Sequence, residues 1–254
     1  MAISIYNEFS DYMVFRGIKN VEPNEFKYID MDFDITEELV IEQFCAMQSF
    51  HEKSLGFNGY LRNKLNNNTG KVIEEYKISI KKLAGDIKNI KKDESTDSFE
   101  KLIIEYGEEV IKRAEGCISA VYESDYIGII TRSMRRCEIC LGNTGFQNLR
   151  KNHFVEVVSF EDCNYNMVEI DCFILLSKLK RKGLNLDFRK LINEFCYIEG
   201  LDDSSSKFLI ALISYPNEFI KHCNRYREAK KHGREDKFPK KLIKALIQDG
   251  DSLL

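Results

Sequence analysis

The sequence predicts an α+β chain, mostly helical from residue 36 to residue 254, with a short β-rich segment over residues 1–35. Three observations predict it. Apolar residues recur at helical spacing between Val72 and Ile90 and again between Leu102 and Val121. Strand-type residues gather in the first 35 positions and again between Cys140 and Asp171. The carboxyl half is punctuated by Gly183, Gly200, Pro216 and Gly233, with little strand signal between them.

Taken in order, Tyr12-Met13-Val14-Phe15 and Phe26-Lys27-Tyr28-Ile29 read as short strands separated by Asn20 to Asn24, which suggests a small sheet or hairpin. Asp34 and Glu37 resemble a capping box, and Leu39, Ile41, Phe44, Cys45, Met47 and Phe50 then supply the apolar face of a helix ending near His51. His51 can be imagined as a base, but a helix-end histidine near Gly56 reads first as a cap or packing residue. A loop with Asn58, Gly59 and Asn66 to Asn68 follows, and Gly70 opens the next segment. From Lys71 to Lys92 the residues Val72, Tyr76, Ile80, Leu83, Ile87 and Ile90 mark an amphipathic helix. The polar stretch Asp93 to Thr96 breaks it, and Asp97 with Glu100 signals a second helix start. That helix carries Leu102, Ile103, Tyr106, Val110, Ile111, Ala114, Ile118 and Val121 on one stripe, and a shorter helix runs from Ser124-Asp125-Tyr126 to Arg136. Beyond Asp171 the expected helices are Phe173 to Leu179, Phe188 to Ile198, Phe208 to Ile213, Phe219 to Ala229 and Leu242 to Ile247. The aromatic residues Phe188, Phe195, Tyr197, Phe208 and Tyr215 read as core rather than as a ligand cage.

Composition narrows the function classes. The 254 residues carry 38 basic and 41 acidic side chains mixed along the chain, a formal net charge of -3, so no nucleic-acid footprint is expected. No basic region followed by a long apolar stretch starts the sequence, and no run is apolar enough to span a bilayer, so the expectation is an intracellular protein without a membrane partner. The eight cysteines lie scattered in apolar contexts and read as reduced thiols. Cys137 and Cys140 form a lone Cys-x-x-Cys without a second pair or a histidine pattern, so no metal site is expected.

The stretch from Cys140 to Asp171 carries the functional signal. Leu141-Gly142-Asn143 is followed by Asn148, and an apolar run then leads to Ser159-Phe160-Glu161-Asp162 and finally to Asp171. Elsewhere the chain contains Phe50-His51-Glu52-Lys53-Ser54-Leu55-Gly56-Phe57, Gly70-Lys71 with Glu74, Ser124-Asp125-Tyr126, and Tyr215-Pro216-Asn217-Glu218-Phe219 with Tyr226 beyond. In order and spacing these segments resemble the spore-coat proteins of the CotS type, a branch of the kinase-like superfamily that includes aminoglycoside and choline phosphotransferases. The resemblance runs from about residue 35 to the end of the chain. It implies a protein-kinase-like fold with a mostly helical carboxyl lobe over residues 36–254 and a truncated amino-terminal lobe over residues 1–35. A complete amino-terminal lobe would need about eighty residues, a Gly-rich loop, a strand lysine and a helix glutamate. Residues 1–35 hold one glycine, Gly17, and the candidate lysines Lys19 and Lys27 read as surface residues.

By the same resemblance, position 143 would be the Asp that takes the acceptor proton, and position 159 the Asp that ligates Mg²⁺. Here they are Asn143, whose amide is no general base, and Ser159, a neutral oxygen for a cation that favours carboxylates. Asn148 matches a metal-holding loop Asn and Asp171 the Asp that braces the loop, with Gly142 and Phe160 as structural residues. Glu161 and Asp162 are the acids that could rescue a metal site, given a changed turn. The expectation is therefore a pseudokinase with no catalytic residue, metal or cofactor. Its role would be structural or recruiting, in a spore coat assembled from the mother-cell cytoplasm, with other coat proteins as partners. The alternative is a divergent phosphotransferase using ATP and Mg²⁺ on a small hydroxylated molecule or a protein, with Asn148, Glu161 and Asp162 as cofactor-binding residues.

Overall fold

The computed structural model describes residues 8–26, 35–57, 65–92, 97–230 and 238–254. The readings placed on Lys27 to Ile29, Asp34, Asn58, Gly59, Asp93 to Thr96 and Gly233 lie outside those residues. The described chain is mostly helical, with two small mixed sheets.

The amino-terminal segment departs from its strand reading. Tyr12 to Phe15 belong to a helix, α1 (Phe9–Phe15), because Phe9 and Met13 are one helical turn apart and both buried. The Phe9 ring meets Phe50, Phe57 and Phe160 edge-on at 6.4, 5.0 and 6.0 Å between centroids. Burying that face outweighs the β preference of a short aromatic and β-branched run. The strand lies further along, in β1 (Ile18–Asn20), between the run read as a strand and the separator that begins at Asn20.

Thr36 caps α2 (Glu37–Ser54), its hydroxyl oxygen accepting from the Leu39 N–H at 3.3 Å, where the sequence suggested an Asp34 box. The helix continues one turn past His51, which is therefore a buried interior residue of α2. A two-residue strand, β2 (Asn66–Asn67), precedes α3 (Lys71–Ile90), which packs along α4 (Ser98–Glu123) through Ile73, Ile80, Leu83 and Ile87. The Asp97 carboxylate accepts from the N–H groups of Phe99 and Glu100, and Glu100 reaches back to the Asp97 N–H, so the second capping box forms as its sequence signature suggests. Gly107 lies where the two helices approach closely, a Cβ there standing 2.7 Å from Ile87 Cδ1.

After α5 (Tyr126–Arg136) come β3 (Ile139–Cys140), the hairpin of β4 (Leu149–Lys151) and β5 (Val155–Val157), and β6 (Asn164–Tyr165). One sheet has the order β1-β5-β4, with β1 parallel to β5; the other has the order β2-β6-β3, with β2 parallel to β6. Five helices follow: α6 (Glu169–Arg181), α7 (Phe188–Glu199), α8 (Asp203–Ser214), α9 (Asn217–Lys230) and α10 (Phe238–Asp249). Each contains its expected span and extends it to a turn or cap. One core lies under the β4–β5 hairpin with α1, α2, α6 and α7, and a second fills the space between α3, α4, α8, α9 and α10.

Of the aromatic residues read as core, Phe195, Phe208 and Tyr215 are buried and Phe188 is partly buried. Tyr197 is 84% exposed, because two residues past the inward Phe195 an α-helix presents its opposite side. All eight cysteines are free thiols; six are buried, and Cys45 and Cys137 are half-buried. No helix among the described residues is long and apolar enough to cross a membrane.

Candidate functional site

The loop from Leu141 to Asn148 runs from β3 to β4, and Ser159-Phe160 follows β5, so the two sheets bring both candidate positions to one place. Asn148 joins them. Its Nδ2 donates to the Asn143 carbonyl at 2.8 Å and to the Ser159 carbonyl at 3.1 Å, while its Oδ1 accepts from the Ser159 N–H at 2.8 Å. From the other side, Gln43 on α2 donates to the carbonyls of Thr144 and Leu149 at 2.8 and 3.0 Å. The loop is thus tied by two buried amide side chains using backbone acceptors.

Asp171, fully buried in the first turn of α6, holds the start of the loop. Its carboxylate accepts from the Leu141 N–H at 2.7 Å and the Gly142 N–H at 2.9 Å. Its Oδ2 also accepts from His51 Nε2 at 2.9 Å, and His51 Nδ1 lies 2.6 Å from Glu199 Oε1 at the end of α7. Burial works against a charged imidazole, but the Glu199 and Asp171 carboxylates more than offset it and raise the His51 pKa to about 10. At neutral pH both ring nitrogens are therefore protonated, and His51 is a buried cation between two carboxylates. It links α2, α6 and α7 to the loop and offers no free lone pair to act as a base.

Gly142 sits where α6 and the 159–162 turn converge. Its φ is +78°, and a Cβ would stand 2.5 Å from the Asp162 carbonyl oxygen. Gly142→Ala should therefore cost about 2–4 kcal/mol, combining left-handed strain with a backbone clash. Denaturant unfolding of the variant checks this, and a loss within 0.5 kcal/mol, roughly that of an ordinary surface change, would refute the assignment.

The remaining positions are placed as follows. Asn143 is half-buried, and its side chain makes no hydrogen bond among the described residues. The Ser159 hydroxyl oxygen accepts from the Glu161 N–H at 3.2 Å, shaping a local turn. Phe160 packs on Phe9 and Phe50. Glu161 and Asp162 are exposed.

Toward the Mg²⁺ and nucleotide phosphates that the sequence resemblance implies, the loop offers neutral oxygens at positions 148 and 159. The Asn148 oxygen and the Ser159 hydroxyl are already engaged with backbone N–H groups, and among the described residues no three His, Cys, Asp or Glu side chains come together as a ligand set. The arrangement can orient a hydroxyl through the Asn143 amide, but it holds no general base at that position.

Sequence reasoning missed Glu199, Gln43 and the role of His51. One signal was present: Glu199 ends α7 next to the Gly200 cap, and a carboxylate there opposes the helix dipole unless a cation holds it.

No family model matches the chain, and no curated protein is similar to it in sequence. Among solved structures, an aminoglycoside phosphotransferase from Alicyclobacillus acidocaldarius subsp. acidocaldarius superimposes with a TM-score of 0.65 at 16% identity, covering 91% of this chain. The chain spans 65% of that protein's length. The likeness gives the fold class: a kinase-like fold of the aminoglycoside phosphotransferase type.

Proposed function

We propose that the chain is a pseudokinase: it keeps the carboxyl-lobe frame of a kinase-like phosphotransferase and transfers no phosphate. It serves as a structural or recruiting component of a spore coat, assembled from the mother-cell cytoplasm with other coat proteins as partners. The observation that carries the reading is the use of the polar groups around the loop. The Asp171 carboxylate and both ends of the Asn148 amide hold backbone, while Asn143 and Ser159 stand where the chemistry would need carboxylates.

Residues 8–26 add support. Here α1 packs on Phe160 and β1 pairs with β5, so the chain's own segment covers part of the face beside the loop. The coat assignment rests on the sequence resemblance.

The combined variant Asn143→Asp, Ser159→Asp tests the reading. It is expected to transfer no phosphate from ATP with Mg²⁺ to sugar, alcohol or protein acceptors, because α1 and β1 still cover part of the face beside the loop. Transfer by that variant would contradict that expectation, and Mg²⁺-dependent transfer by the wild-type protein would overturn the proposal. For the coat assignment, tagged protein in a spore-forming host should be recovered with the extracted coat, and recovery from the cytoplasmic fraction alone would contradict it.

A further inference from the structure

Away from the loop, the ends of α8 and α10 converge on two cations. Arg113 on α4 donates to the carbonyls of Ser214, Gly250 and Asp249 at 2.7, 2.6 and 3.2 Å. Beside it, Lys180 on α6 donates to the carbonyls of Ile213 and Asp251 at 3.0 and 3.1 Å. Those two acceptors satisfy both N–H groups of a neutral amine and leave one tetrahedral position. No carboxylate among the described residues forms an ion pair with Lys180, since the nearby Asp249 carboxylate accepts from the N–H groups of Glu218 and Phe219. Lys180 also lines a cavity of about 40 Å³ shared with Ser177, Arg181, Tyr215 and Gln248. That volume holds a few waters or one two-carbon acyl group.

We propose that Lys180 is a nucleophilic modification site that accepts a small acyl group from an acyl phosphate. Arg113 and Arg181 flank the amine, Arg181 being paired with Glu218 at 3.3 Å, and the Glu218 and Asp249 carboxylates line the same cavity. In the step, the Nζ lone pair attacks the acyl carbon and an N–C bond forms. The bond from that carbon to the phosphate oxygen breaks, phosphate leaves with the electron pair, and one Nζ proton passes to water. The amide product keeps a single N–H, so only one of the two carbonyl bonds survives, and either the end of α8 or the Asp251 segment is released.

The groups around Lys180 agree with this chemistry. Burial lowers its pKa, Arg113 lowers it further, and Asp249, Cys117 and Asp251 raise it only partly, leaving it at about 8. A lysine of ordinary basicity titrates near 10.4, so at about pH 7.5 the Lys180 amine is far more often neutral.

The test is site-resolved mass spectrometry of the whole protein after brief treatment with limiting acetyl phosphate. Lys180 should be acetylated about tenfold faster than the exposed Lys182 two residues away, and its rate should level off above about pH 8. Equal or faster labelling of Lys182 would overturn the proposal. So would a preference for Lys180 that persists in strong denaturant, which would place its cause in the local sequence instead of the fold.

Discussion

Asp171→Ala is expected to lower folding stability by about 3–5 kcal/mol, a large part of the roughly 5–15 kcal/mol that holds a typical domain together. The loss has an identifiable origin. The N–H groups of Leu141 and Gly142 and the Nε2–H of His51 all donate to this carboxylate, and its side chain is fully buried. Removing it strands those donors away from water and leaves the His51 cation facing Glu199 alone. Asp171→Asn keeps one acceptor oxygen but no charge and should fall between wild type and Asp171→Ala. Denaturant unfolding measures both, and a loss under about 1 kcal/mol for the alanine variant would contradict the brace.

The second large effect is a fall in stability on the alkaline side of neutrality. The folded His51 pKa, about 10, lies above the 6.5 usual for a histidine. A raised pKa contributes stability that is complete below about 6.5 and is lost as pH rises through about 10. Between about pH 7 and 8 the unfolded chain binds almost one proton fewer at this site, so stability should fall by about 1 kcal/mol per pH unit. Other groups share that window. Six buried thiols, pushed up by burial, begin to ionise in the unfolded chain towards about pH 8 and add to the fall. Lys180, at about 8, and His222, lowered by burial, oppose it, so the His51 contribution is read as the difference between wild type and variant. His51→Gln should flatten the slope from pH 7 to 8, and an unchanged slope in that variant would rule His51 out as its source.

The long helices were legible because a repeat such as Tyr76, Ile80, Leu83 and Ile87 fixes both period and buried face, although at its start the buried residue is Ile73 and the expected Val72 is half-buried. The short elements were not. Tyr12 to Phe15 has strand-like composition, yet Phe9 and Met13 turn it into a helix through partners at Phe50, Phe57 and Phe160, contacts that no local window contains. In the site, Asn143, Asn148, Ser159 and Asp171 stood out because the family resemblance falls on one stretch of chain that holds all four. His51 and Glu199 are 148 positions apart, and Gln43 is 101 from Thr144, so their part in holding the loop emerges only when α2 and α7 pack against it.

That packing also holds the loop's shape independently of the side chains at positions 143 and 159. The bonds that define the turn run to Asp171, Asn148 and Gln43, and none of them needs a carboxylate at position 143 or 159. The most direct test is a phosphate-transfer assay on the purified wild-type protein, with ATP labelled on the γ-phosphate, Mg²⁺ and a panel of hydroxylated acceptors including protein. No label should reach any acceptor above the protein-free background; Mg²⁺-dependent transfer that disappears in Asn143→Ala would contradict the account.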